Sequence, residues 1–358
     1  MSPLLVLLAG VTFPQGLAPV DSGAPAAELS AQRCAGCHTG AHAEWQESRH
    51  GRAWTNAIFQ REFRQDPLDW CVHCHAPLRE QFTEVGRGGG PLADEGVTCA
   101  VCHLRDGKMQ ARTARPGSPH DTVASAGFGS PAFCGGCHQF NFPLIDRSGS
   151  HPRVAAYSAH PMQDTVAQHA RGSRAAVECV QCHAASPGGH AFPGGHDPAM
   201  LARAVTLEVC RAGGRLQVRL ENAGAGHNVP TGDLHRHLVL RLWRSTAPER
   251  LHETILGRQF AAAPDGSKRT VADTTLRPSE RRTIPVPLSA LGGAAGDPVR
   301  LELRFVYTID EFPFRGRELP VPTYATVAAQ EIDLRGLAAC GATGGAGLRA
   351  SRDARGIP

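Results

Sequence analysis

Five copies of one pentapeptide, Cys-x-x-Cys-His, lie between residues 34 and 183, and they restrict this chain more than any other feature. They are Cys34-Ala-Gly-Cys37-His38, Cys71-Val-His-Cys74-His75, Cys99-Ala-Val-Cys102-His103, Cys134-Gly-Gly-Cys137-His138 and Cys179-Val-Gln-Cys182-His183. A zinc site uses two such pairs per ion and asks for no histidine at the next position. Thioredoxin-like chemistry needs one pair opening a helix in a βαβ unit, a pattern this segment lacks. Covalent c-type haem explains every element: both thiols form thioethers to the vinyl groups, and the histidine takes the proximal side of the iron. The expected cofactors are five c-type haems, with His38, His75, His103, His138 and His183 as proximal iron ligands.

That leaves about thirty residues of chain per porphyrin, too few to build a conventional core around each. The haems must supply the apolar interior and pack against one another. Haems in a close row pass single electrons along it.

Eighteen histidines leave thirteen candidates for the distal sides of five irons. His50, in the stretch from Ala41 to Phe63 that reads as one helix, shares a stripe with Trp54, Ala57 and Ile58, so it faces an interior made of porphyrin. His120 sits in the loop Arg115-Pro-Gly-Ser-Pro-His120, where ligand and solvated surface are both open readings. Around Tyr157-Ser-Ala-His160-Pro-Met162, Pro161 suggests a helix start with Met162, Val166 and His169 on one face. Either His160 or Met162 is a candidate ligand there; methionine would raise that haem's potential. His190 precedes Phe192-Pro193, which stiffens its loop, and His196 is a spare. His227, in Gly226-His227-Asn228-Val229-Pro230, is held between a glycine and a proline and so presented rather than buried. It reads as a ligand lent to a haem of the first half by the second. His42 reads as solvated, His73 as a propionate or neighbour contact, His151 as a weaker candidate and His169 as a helix-terminal residue.

From Ala204 the period changes to two. Val205, Leu207 and Val209 alternate, as do Leu216, Val218 and Leu220, then Leu238, Leu240 and Leu242, with further runs at 282–288 and 299–307. Short alternating strands between Gly, Pro and Asn turns predict an antiparallel β-sandwich of roughly seven strands. The fold class is therefore α+β and multidomain: an N-terminal multihaem domain of short helices and loops packed around haems, and a C-terminal sandwich. The divisions fall at 1–20 (an imperfect signal peptide), 21–200, 201–335 and a flexible tail, 336–358. Leu4–Phe13 is too short to span a bilayer but suits a signal h-region, although basic residues do not precede it. Export to the periplasm or the cell exterior follows, where Cys210 and Cys340, the two cysteines outside the motifs, are able to form a disulfide.

Charge adds little. A net charge of +4 and 20% charged residues give no basic surplus of the kind nucleic-acid binding requires. Lys108 and Lys268 are the only lysines among 37 basic residues. The preference for arginine suits propionates, whose carboxylates its planar fork grips bidentately, and equally reflects codon composition.

The element Trp45-Gln-Glu-Ser48-Arg-His50, following the first motif, resembles the W-x-x-S-x-H element of multihaem c-type cytochromes related to the tetrahaem electron acceptor of ammonia oxidation. The resemblance runs from about Cys34 to His196. It implies His50 as a distal ligand and a fold of loops and short helices around stacked haems. The fifth motif and the β-half depart from the simpler relatives.

Electron transfer between redox proteins, one of them in a membrane-associated complex, is the expected function. A reductase or oxidase acting on a small nitrogen or sulfur compound at an open iron is the alternative. Against it, the pentahaem nitrite reductases carry a CxxCK that this chain lacks, and Tyr157 is the one tyrosine of the haem half available for the cross-link of hydroxylamine-oxidising relatives. A third reading is a subunit of an extracellular cytochrome filament or oligomer, with His227 or another loop histidine donated outward.

Overall fold

The computed structural model describes residues 19–117, 119–184, 186, 188–308 and 321–341. Most of the expected signal segment and residues 342–358 of the expected tail lie outside the described residues. No described helix is long and apolar enough to cross a membrane.

Helices of the first half are short: α1 (Ala31–Ala35), α2 (Thr39–Glu47), α3 (Ala57–Gln65), α4 (Asp69–His75), α5 (Arg79–Gly86), α6 (Pro91–Asp94), α7 (Cys99–His103), α8 (Pro131–His138), α9 (Thr165–Ala170) and α10 (Cys179–His183). Among the described residues none exceeds nine residues, too few to stand alone in water. Caps and close packing hold them instead. Ser30 caps α1, Asn56 caps α3 and Ser130 caps α8 ahead of Pro131. Every CxxCH motif contributes to a short helix, so each histidine emerges at or just past a helix end.

The single helix expected from Ala41 to Phe63 is two helices with a turn between them. The Ser48 hydroxyl donates to the Trp45 carbonyl at 2.6 Å and accepts from the Gly51 N–H at 3.1 Å. Those bonds draw on groups that a continuous helix needs for its own ladder. Gly51 is required there, since a Cβ would come 2.5 Å from the Trp45 carbonyl oxygen. His50 is therefore offered from a turn and not from a helical stripe.

A small sheet joins β1 (Leu104–Arg105), β2 (Lys108–Ala111) and β3 (Val123–Ala124). A long antiparallel ribbon, β4 (Gln139–Asp146) with β5 (Arg153–Asp164), follows. It replaces the helix expected to begin at Pro161: His160 and Met162 lie on β5, and helix begins only at Thr165. Strand pairing with β4 outweighs the local proline signal, as tertiary context commonly does.

After α11 (Pro198–Ala204) come β6 (Val205–Ala212), β7 (Arg215–Asn222), β8 (His237–Arg244), β9 (Ala247–Ala262), β10 (Lys268–Asp273), β11 (Arg281–Pro287), β12 (Val299–Val306) and β13 (Tyr324–Ile332). They form a five-stranded sheet, β10-β9-β8-β12-β13, and a three-stranded sheet, β11-β7-β6. The inward residues of β6, β7, β8 and β12 named above share one apolar core, with Leu216, Leu238, Leu240, Leu242 and Leu303 fully buried. By contrast, the apolar clusters described in the first half are small: six buried residues around Leu78 and four around Trp54. Among the described residues that half has little side-chain core of its own. The overall class is mixed α+β.

The start of the expected tail is fastened. Cys340 is bonded to Cys210 on β6, and the Cys340 N–H donates to the Arg211 carbonyl at 2.9 Å. Leu337 packs on the core of the second half. Looseness does not describe residues 336–341.

Candidate functional site

Four of the motif histidines each face a second histidine ring across nearly the same gap. His38 faces His120 at 6.1 Å between ring centres, His103 faces His190 at 6.0 Å, His138 faces His50 at 6.3 Å and His183 faces His227 at 6.2 Å. Two metal–imidazole bonds of about 2 Å, with about 1.1 Å from nitrogen to ring centre on each side, sum to about 6.2 Å. The gap is that of two imidazoles on opposite sides of one metal, and it is too wide for ring stacking. Partners lie far apart in sequence and cross: the third motif takes a ring from beyond the fifth, and the fourth takes one from before the second.

The rings are set for Nε2 coordination. The His75 Nδ1–H donates to the Ala53 carbonyl at 2.8 Å, His103 to Gln110 at 3.0 Å, His183 to Pro193 at 2.7 Å and His227 to Asn228 at 2.8 Å. A bond at Nδ1 fixes the tautomer with Nε2 free and raises its basicity toward a metal. At His138 the Gln163 amide nitrogen lies 3.1 Å from Nδ1, so there Nδ1 accepts and no carbonyl holds the tautomer. Burial pushes His50 and His227 down to about 4 and lowers His75, His103 and His138. All five are neutral at pH 7, the form in which imidazole ligates.

His75 differs from the other four motif histidines. Phe59 stacks on its ring at 3.6 Å and 6°, and among the described residues no histidine ring faces it at the common gap. His160 and Met162 lie on β5, where the His160 backbone N–H donates to the Ser158 hydroxyl at 3.0 Å and the Met162 backbone carbonyl accepts from Arg258 at 2.8 Å. His73 rests on Phe82 at 4.7 Å, and His169 is buried at the end of α9. His42 lies 3.3 Å from the Gln32 amide. Tyr157 stands beside Trp70, next to the second motif.

Several positioning residues carry no local sequence signal. Glu95 accepts from the Ser30 hydroxyl at 2.5 Å, the Ala31 N–H at 2.7 Å and the Thr98 hydroxyl at 2.8 Å, tying the first motif's helix to the third's. Trp45 donates its indole N–H to the Val97 carbonyl at 2.8 Å, and the Val97 N–H donates to the His50 carbonyl at 2.9 Å. The tryptophan and serine of the Trp45–His50 element thus serve to aim its histidine. Asn222 performs the same task for His227, donating to the His227 carbonyl at 2.9 Å and accepting from the Ala225 N–H at 3.1 Å. Thr231 bonds Gln168 at 2.7 Å, so this loop is fastened to α9 as well.

Thiol contacts give the motifs an order. Cys34 hydrogen-bonds Cys99, Cys74 bonds Cys137, and Cys134 bonds Cys179; Cys102 also feels Cys137. The first motif therefore adjoins the third, the third the fourth, and the fourth both the second and the fifth. Ten thiols in five pairs, each pair followed by a histidine, match the needs of thioether-linked haem. Among the described residues no cluster of three or more His, Cys, Asp or Glu side chains is arranged around a bare metal ion.

Residues 33–104 match the family model described as cytochrome c554 and c-prime. The fold resembles that of a penta-heme cytochrome c552 from Thermochromatium tepidum in its crystal structure, with a TM-score of 0.64 and 20% identity over 86% of this chain and 99% of that one. That coverage exceeds what the motif-bearing half alone supplies, so part of the β-half shares in the likeness. No curated protein matches the chain. The fold and the five motifs are similar to those of multihaem c-type cytochromes.

Proposed function

We propose that the chain is an exported pentahaem c-type cytochrome carrying electrons between redox proteins, with a haem domain over 21–200 and a β-sandwich domain over 201–335. The observation that carries this reading is the set of four histidine pairs at 6.0–6.3 Å, each joining a motif histidine to a distant one.

Under it, Cys34, Cys37, Cys71, Cys74, Cys99, Cys102, Cys134, Cys137, Cys179 and Cys182 hold the haems. The residues that would hold the irons are His38 with His120, His103 with His190, His138 with His50 and His183 with His227. A bound haem supplies a one-electron iron couple, and the chain's own residues set its surroundings. Backbone carbonyls hold the tautomers of His103, His183 and His227, burial favours the neutral ring at His50, His103, His138 and His227, and the second domain clamps His227. The motif order makes the fourth site a junction between a branch through the third to the first and shorter steps to the second and fifth. Donor and acceptor are redox proteins at the ends of those branches, in the periplasm or outside the cell. The Trp45–His50 element carries the finer likeness to the electron acceptor of ammonia oxidation.

A second reading concerns His75, the proximal residue that no histidine ring faces among the described residues. An iron there with an open position would bind a small nitrogen or sulfur compound, and the remaining sites would feed it electrons. Pyridine haemochrome counting with quantitative EPR separates the readings. Five haems per chain, at least four of them low-spin, without turnover of nitrite or hydroxylamine, supports the carrier. High-spin iron with turnover supports the enzyme, and fewer than four low-spin irons in a fully loaded protein overturns the axial pairs. A filament built on outward donation of His227 is not favoured, because that ring faces His183 of its own chain.

A further inference from the structure

The two halves meet at a group of basic and aromatic side chains that the axial pairs do not use. His196, in the loop after the fifth motif, stacks on Tyr307 of the second half at 3.9 Å. The Arg236 guanidinium lies 5.4 Å over the same Tyr307 ring, and its Nη1 is 3.5 Å from His196 Nε2. Arginine has only donors, so Nε2 must be the acceptor and the neutral ring carries its proton on Nδ1. That Nδ1 is buried and has no hydrogen-bond partner in the protein. Arg49 stands at the rim, close enough to Arg236 and Tyr307 to feel both. Arg52 is satisfied by Glu47 and Arg236 in part by Asp233 at 3.4 Å, but among the described residues Arg49 has no carboxylate partner. An uncompensated cation beside a buried N–H with no acceptor costs stability unless an anion completes the group.

We propose that Arg49, Arg236 and His196, against the wall of Tyr307, bind a carboxylate-class anion at the junction of the two halves. The carboxylate has two sources. One is a propionate of the haem ligated by His50, the residue next to Arg49; that source rests on the axial assignment above. The other is a free carboxylate from solution. In either case the seat couples the second half to the redox centres of the first, because it removes negative charge from water and fixes it beside them.

The test compares full-length, haem-loaded protein with Arg236→Gln and, to guard against misfolding of that variant, with His196→Phe, which keeps the ring stack and removes the N–H. Each is measured by spectropotentiometric titration and by titration with sodium acetate at low ionic strength. A propionate seat predicts that one haem in Arg236→Gln loses about tenfold in its reduced-to-oxidised ratio at fixed potential, a fall of about 59 mV. The sign follows because a nearby cation favours the reduced, more negative haem. His196→Phe shifts the same haem in the same direction by less, and acetate changes nothing in the parent protein. A free-carboxylate seat predicts a saturable rise in thermal midpoint with acetate in the parent that both variants lose. Unchanged midpoints in both variants, with an acetate response absent from the parent or retained by both variants, overturn the seat. Failure of the haem reading itself shows separately, as a haemochrome count below five in the parent.

Discussion

Replacing His227 by alanine removes the ring that faces His183 across 6.2 Å, and the remaining methyl stops well short of a metal between them. One motif of five is affected, so the low-spin iron should fall by one per chain, about a fifth of the total. Reduced protein should take up one more carbon monoxide per chain than its parent. The fold should survive: the lost bond from His227 Nδ1 to the Asn228 carbonyl is worth about 1 kcal/mol, against about 5–15 kcal/mol for a domain. The Asn222, Asn228 and Thr231 bonds that anchor the loop all remain. His169 is the ring most able to substitute, since it packs against Gly226, where a Cβ would come 2.9 Å from its Cδ2. The assay is therefore EPR spin quantitation normalised to haemochrome content, run on His227→Ala and on the same variant with His169→Leu. An unchanged low-spin count in both proteins would refute the pairing of His227 with the fifth motif.

Gly226→Ala should displace the same loop without touching a ligand, weakening the His227 bond and giving a temperature-dependent high-spin signal at one haem; a spectrum identical to the parent between 4 and 40 °C, as in variable-temperature absorption, counts against it. Glu95→Gln places an amide donor where three donors converge and should destabilise the first half by about 1–3 kcal/mol, read as a lower unfolding midpoint in urea, with the β-half unaffected. Cys340→Ser opens a link spanning 130 residues and should destabilise the second half by up to about 5 kcal/mol on the chain-entropy argument. Calorimetry should show that loss in one transition only, and equal loss in both would sink the view that the bond serves the second half.

Much of the second half could be read from the chain because sheet alternation is a local property. Leu207, Leu216, Leu240 and Leu301 are each buried where period two puts them. The long strand β9 was not anticipated; most of its residues are exposed or half-buried, so burial imposes little alternation on it. The ribbon β4–β5 was missed for a related reason. Its register slips at three places and one strand carries Pro143, so pairing across the ribbon, and not either strand's composition, makes it a sheet. His50 was recognised as facing the interior, but its helix was drawn through Ser48, whose hydroxyl draws the Trp45 carbonyl into a turn.

From the residues alone came the chemistry: thioether and imidazole ligation depend on neighbours within five positions, and a pentapeptide contains them all. His227 could also be singled out there, because a glycine and a proline restrict the backbone on either side of it. Which distant ring faces which motif had no local trace. That pairing depends on two side chains brought to a separation of about 6 Å by segments folding over one another, and only the packed chain determines which segments meet.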